Sequence, residues 1–237
     1  MRSVTFVIAL LCPLTALAGG YADWVEVPLE WPVPPPPNPE PWYYYIAEGH
    51  AHFDLLTVVD DGDCWNSAYA NAYLEGEAAD AYSFWDHPNG SAYPVPAAFP
   101  YFGLMAYDSF WTSPVEFPNP DLDAAHLATL FSPGSPIQDS ATAKEAEWYV
   151  DPSAPYVDGG TWHVARYNIR GLCPDGYSSD ETPFGPAAEL VIDGNFVFGS
   201  GENDDPFQLR IPLCWYVPEP SGLVLLGVGY LLIRRRR

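Results

Sequence analysis

The sequence predicts an all-β protein, a two-sheet antiparallel sandwich of jelly-roll type, and three observations predict it. The 27 prolines and 19 glycines cut a 237-residue chain into short pieces, which suits turns and strands better than long helices. Apolar positions alternate with a period of two: Ala68, Ala70, Ala72 and Leu74 fall on one side of a stretch whose other side is Tyr69, Asn71 and Tyr73, the pattern of a strand in a packed sheet. The chain is also 48% hydrophobic and 16% aromatic, enough for one substantial core. No fixed-period repeat is present, so a propeller or solenoid is not expected.

The elements follow in order. Residues 1–18 read as a secretory leader. Arg2 gives the positive start, residues 4–11 the apolar stretch, and Ala16 and Ala18 the small-x-small site with cleavage before Gly19. Residues 19–41 carry Pro28, Pro32, Pro34, Pro35, Pro36, Pro37, Pro39 and Pro41, and a proline run of this density predicts a disordered, extended linker with no core of its own. The sandwich is expected over residues 42–216. Within it, strands are predicted at residues 52–59, 65–74, 103–110, 148–150, 161–169, 189–192, 195–198 and 208–213, eight or nine short strands in all, with a helical turn near residues 77–84. Asp60, Asp61, Gly62 and Asp63 predict a turn, and Asp193-Gly194 a hairpin. In the strand over 161–169, Ala165, Tyr167 and Ile169 are expected to share an inner face with His163.

Charge excludes one class of function. All 31 acidic residues lie between Asp23 and Glu219, whereas Lys144, Arg166, Arg170 and Arg210 are the only cations between residues 19 and 220. Such a body repels nucleic acid, whose binding needs cations to displace counterions. The same acidity keeps an exported protein soluble. Loss of the leader removes Cys12 and leaves Cys64, Cys173 and Cys214. In an oxidising compartment one pair can close in three ways, and Cys173–Cys214 is the expected pair because both stand near the ends of the last strands.

Catalytic signatures are absent: there is no Gly-x-Ser-x-Gly elbow, phosphate loop or dinucleotide fingerprint. No catalytic residue and no metal site is therefore assigned. His50-x-His52 has the spacing of two ligands on one strand face but lacks an evident third ligand. Two oxygen-rich segments, residues 60–63 and 202–205, have the composition of calcium loops, and equally that of ordinary turns. The aromatic residues are candidates for sugar stacking as well as for the core.

The C-terminal 21 residues are the most specific part of the chain. Pro218, Glu219 and Pro220 precede an uncharged, nearly all-apolar stretch, residues 222–233, which Arg234, Arg235, Arg236 and Arg237 close. Twelve helical residues span about 18 Å, against about 30 Å for a hydrocarbon core. That length suits a transient stop in the membrane, with the arginines cytoplasmic and the body outside. The three parts in this order strongly resemble the PEP-CTERM sorting signal, the tag processed by exosortase. The body is also loosely similar to exported PEP-CTERM proteins of planctomycete type, through residues 60–65, 99–110 and 162–166. The resemblance implies a membrane-inserted precursor, exosortase as partner, and a mature protein at the cell surface or outside the cell. A surface or matrix protein without catalytic activity is the function expected. A carbohydrate-binding module of an exopolysaccharide matrix is the alternative, and a secreted hydrolase has no support in the sequence.

Overall fold

The computed structural model describes residues 20–26, 49–86, 92, 108–116, 129–131, 135–150, 158–198 and 203–217. These residues form an all-β, two-sheet antiparallel sandwich, as the sequence predicts. The strands are β1 (Gly20–Glu26), β2 (His50–Glu75), β3 (Tyr82–Phe84), β4 (Phe110–Glu116), β5 (Thr129–Phe131), β6 (Gln138–Asp139), β7 (Ala143–Val150), β8 (Asp158–Gly171), β9 (Tyr177–Ser178), β10 (Pro186–Phe198) and β11 (Asn203–Tyr216). A single 3-10 turn, Ala79–Ala81, sits where a helical turn is expected.

The organising element is β2. Residues 50–59 pair with β8 and, on the other edge, with β1, while residues 65–75 pair with β10 and β7. The chain thus runs the length of sheet A, crosses at residues 60–64, and returns along sheet B. The acidic Asp60-Asp61-Gly62-Asp63 segment is this crossing. Sheet A is β1–β2–β8, with β3 and β4 on the far edge of β8. In sheet B, β5 and β6 flank β7, followed by β2, β10, β11 and the two-residue β9.

Residues meant for the core reach it through the two-residue alternation of strands. Ala68, Ala70, Ala72 and Ala146 line the inner face of sheet B and leave room for Trp65, Trp111, Trp148, Tyr167, Phe196 and Phe198. Small and large side chains interdigitate here, which is how two pleated faces fill space without voids. Trp148 of β7 also donates its indole N–H to the Thr112 carbonyl of β4 at 2.8 Å, a buried hydrogen bond between the sheets.

Four expectations need correction. The sandwich begins before residue 42, because Gly20–Glu26 is strand β1, with Ala22 and Trp24 packed on the core; the remainder of the proline-rich stretch, residues 27–48, lies outside the described residues. The Asp193-Gly194 hairpin does not exist, since β10 runs straight through it. A Cβ on Gly194 would lie 2.1 Å from the Tyr69 carbonyl oxygen, so this glycine admits a close backbone approach inside a strand. His163 does not share the inner face, because a register shift opposite Leu55 and Leu56 inserts Val164 as an extra residue and turns His163 outward. The strands are also longer than expected, with β2, β8, β10 and β11 spanning 26, 14, 13 and 14 residues.

Candidate functional site

Two surfaces carry polar side chains in number: the outer faces of the two sheets. On sheet A, alternation along β2 puts Phe53 and Leu55 inward and His50, His52 and Asp54 outward. The neighbouring β8 places Arg166 opposite Asp54 and Asn168 opposite His52. Outward here does not mean solvated: His52, Asp54, His163 and Asn168 are all buried. A buried charge must be paired, and Asp54 is. Arg166 donates Nε–H and Nη2–H to its two oxygens at 2.6 and 2.7 Å, a fork geometry well suited to a carboxylate. His163 Nε2 lies 3.3 Å from Asp54 Oδ1 and 2.9 Å from the Ala165 carbonyl oxygen. Phe110 of β4 closes the cluster, stacking edge-on to His163 with the Arg166 guanidinium 5.6 Å from its ring centre.

The electrostatics follow from burial and pairing. Burial pushes the Asp54 carboxyl upward, but the His163 ring and the Arg166 guanidinium outweigh it and hold it well below the usual carboxylate range. Burial, with the Arg166 charge behind it, lowers His52 to about 3, so its ring is neutral. His50 is lowered as well, chiefly by burial, against the hydrogen bond between its Nδ1 and Asn168 Oδ1 at 2.8 Å. The rings of His50 and His52 lie nearly parallel with centres 6.3 Å apart. The Ser109 hydroxyl donates to the Trp85 carbonyl and accepts from the backbone N–H of Asn168. The arrangement commits a carboxylate to a guanidinium and a hydroxyl to the backbone, which is the chemistry of a structural pin.

A buried cation, Lys144, lies at a core-facing position of β7 opposite Ala72. Its ammonium group pairs with Asp86, just past β3 of sheet A, at 2.5 Å, and with Asp139 of β6 in sheet B. It therefore ties the two sheets at one edge. Arg210 pairs with Glu75 and Glu189 at 2.8 and 3.1 Å on the surface. Three of the body's four cations are thus spent on fixed ion pairs, and the scarcity of cations in so acidic a chain is the signal that marks them.

The outer face of sheet B is different in kind. Register aligns Tyr69, Asn71 and Tyr73 of β2 with Glu147, Glu145 and Ala143 of β7 and with Asn195, Asp193 and Val191 of β10. Val191 is buried, and the other side chains of this set are half-buried or exposed. Tyr69 donates its hydroxyl to Glu145 at 2.7 Å, and Tyr73 to Asp193 at 3.3 Å. Partial burial and that carboxylate push Tyr69 up to about 12. Two phenol rings on an open sheet, bordered by amides and carboxylates, offer apolar faces and hydrogen-bonding groups side by side.

The residues singled out from the sequence fare unequally. Cys173 and Cys214 are free thiols that meet in one small cluster with Ala78, Ala187, Ala188 and Tyr82. Asn203, Asp204 and Asp205 are strand residues, paired with Phe198, Val197 and Phe196. No group of three or more His, Cys, Asp or Glu side chains suited to a metal occurs among the described residues. Ala16, Ala18, Gly19, Pro218, Glu219, Pro220 and Arg234 to Arg237 all lie outside the described residues. Among the described residues no helix is long and apolar enough to cross a membrane. Asp54 lies 112 residues from Arg166, and Asp86 lies 58 residues from Lys144, separations over which one sequence carries no pairing signal.

No protein-family model matches this chain, and comparison with curated proteins gives no significant match.

Proposed function

We propose that this chain is an exported, non-catalytic cell-surface or matrix protein whose sandwich is presented outside the cell and whose tail is processed by exosortase at the Pro218-Glu219-Pro220 motif. The observation that carries the reading is the meeting point of fold and tail. Strand β11 ends at Tyr216, so the proline motif starts two residues after the last strand. A Pro-Glu-Pro sequence disfavours helix and favours extended backbone, which suits recognition by a protease. The apolar stretch of residues 222–233 is too short to hold a bilayer comfortably, which favours excision over permanent anchoring. The reading is tested by expressing the full chain, and a variant with Pro218→Ala and Pro220→Ala, in a host that contains exosortase. The natural chain should be recovered shortened and outside the membrane, and the variant full-length and membrane-bound. Equal mass and location for both would refute processing at this motif.

A second reading, binding of a polysaccharide, is favoured by one observation, the Tyr69–Tyr73 face of sheet B. Flat phenol rings stack on the apolar faces of pyranose rings, and the flanking amides and carboxylates take their hydroxyls. A glycan array probed with the natural protein and with Tyr69→Ala distinguishes it. Retained neutral glycans lost in the variant would support it, and an empty array would remove it.

A further inference from the structure

Cys173 and Cys214 come from opposite layers of the sandwich. Cys173 follows Gly171, the last residue of β8 in sheet A, by two positions. Cys214 lies in β11 of sheet B, in register with Ala188 of β10. Both belong to the cluster that closes one end of the sandwich, with Ala78, Ala187 and Ala188 at its centre. Tyr82 packs on the same cluster and donates its hydroxyl to the Leu213 carbonyl at 3.3 Å. Cys214 is buried inside this cluster, and Cys173 and Tyr82 pack against it from outside. Cys64 is not a competitor. Its backbone stands at the crossing of β2, paired with Asp158, and the strand from residue 50 to residue 59 separates the two ends by about 30 Å at 3.3 Å per residue.

We infer that Cys173 and Cys214 join in a disulfide after export, and that this bond clamps the strand leading into the C-terminal tail to the opposite sheet. The pairing is argued from the shared packing of the two thiols and takes its oxidant from the proposed export, and its mechanical role rests on the reading of the tail as a membrane-held tag. Among the described residues, strand β11 has a full partner only in β10, because on its other edge β9 pairs with Trp215 and Tyr216 alone. A pull on the tail would peel such a strand from its end, one pair at a time. A covalent link at Cys214, two residues before the strand ends, passes the load to β8 in sheet A.

The chemistry requires an oxidant, and a small-molecule or protein disulfide of the exported compartment suffices. Cys173 is the more exposed sulfur. Its thiolate attacks the donor disulfide and expels one donor thiol, and the Cys214 thiolate then displaces the second. One donor disulfide and two protein thiols become one protein disulfide and two donor thiols. Burial raises Cys173 to about 11, so little thiolate exists once the end is packed, and closure belongs to folding rather than to the finished sandwich.

The test uses the full chain recovered from an exporting host, unfolded in the presence of a thiol-alkylating reagent, with and without prior reduction. The natural protein should label at Cys64 alone without reductant and at Cys173 and Cys214 as well after it, and a digest should hold one linked pair of peptides spanning Cys173 and Cys214. Labelling of all three mature thiols without reductant, or a linkage to Cys64, would overturn the bond. Reduction of the natural protein, or Cys173→Ser with Cys214→Ser, should lower Tm by about 5 to 15 °C, and Cys64→Ser should leave the linkage intact; an unchanged Tm on reduction would show that the bond staples nothing. Pulled from its C-terminus, the oxidised protein should yield in one step and the reduced protein should first release β11. Identical first ruptures would overturn the clamp while leaving the bond, and neither result depends on whether exosortase acts.

Discussion

The outer faces of the two sheets are built from the same alternation and differ in what lies over them. On sheet A, His52, Asp54, His163 and Asn168 point away from the core and are nevertheless buried, and the buried Asp54 carboxylate is matched by the Arg166 guanidinium. On sheet B, Tyr69, Asn71, Tyr73, Glu145 and Asp193 also point away from the core and keep contact with solvent, so their hydrogen bonds are optional. The difference teaches that a polar residue on a strand has no fixed meaning: burial turns it into a structural commitment, and exposure leaves it available for a ligand.

The sharpest way to break this contrast is to remove one half of the buried pair. Asp54→Ala leaves the Arg166 guanidinium buried without its carboxylate and should cost about 3 to 5 kcal/mol, read as a lower urea midpoint. The double variant Asp54→Leu with Arg166→Met should recover most of that loss, because an apolar pair needs no charge matching. A double variant as unstable as the single one would contradict the pairing argument.

Acid should separate the two faces next. His52 takes a proton near its ordinary value of 6.5 when unfolded and only near 3 when folded. Between those values the unfolded chain holds more protons, so stability should fall as pH drops from about 6.5 toward 3, by up to about 1.4 kcal/mol per unit. His50 acts in the same sense. Asp54, held low, keeps its contribution at every pH above the unfolded carboxylate range and loses it only as pH falls through its folded value. Urea midpoints measured from pH 7 to pH 4 should therefore decline, and His52→Gln should flatten the decline.

A smaller effect is expected for Lys144→Met. Its partners Asp86 and Asp139 remain partly exposed and can hydrate when the ammonium group is lost, so a cost of about 1 to 2 kcal/mol is predicted by thermal or urea unfolding. The smallest belongs to sheet B. Tyr69→Phe removes a solvent-accessible hydrogen bond to Glu145 and should change stability by less than about 1 kcal/mol. A loss as large as that of Asp54→Ala would place Tyr69 among the structural residues and remove the basis for the second reading.

Local pattern made part of this legible. The alternation of Ala68, Ala70, Ala72 and Leu74 against the tyrosines located a strand and both its faces, whereas residues 60–63, expected to turn the chain, carry β2 from one sheet to the other. Where sequence reasoning failed, a tertiary contact decided the outcome. Gly194 has the composition of a turn but serves a close approach to Tyr69, and His163 follows the inner-face period until the extra residue Val164 shifts it. Gly20–Glu26 precedes a proline run and still finds an edge of β2. The charged cluster joins Asp54 to Arg166 across 112 residues, a distance over which one sequence carries no pairing signal. The tail is the opposite case, for its reading is wholly local, in three short parts set in order.

We propose that the mature protein is the sandwich without its two terminal segments. Intact-mass measurement of the protein from a host with both secretion and exosortase should give a chain that starts at Gly19 and ends near Pro218-Glu219-Pro220. A mass that still includes residues 222–233 and the four closing arginines, found in the membrane fraction, would contradict it.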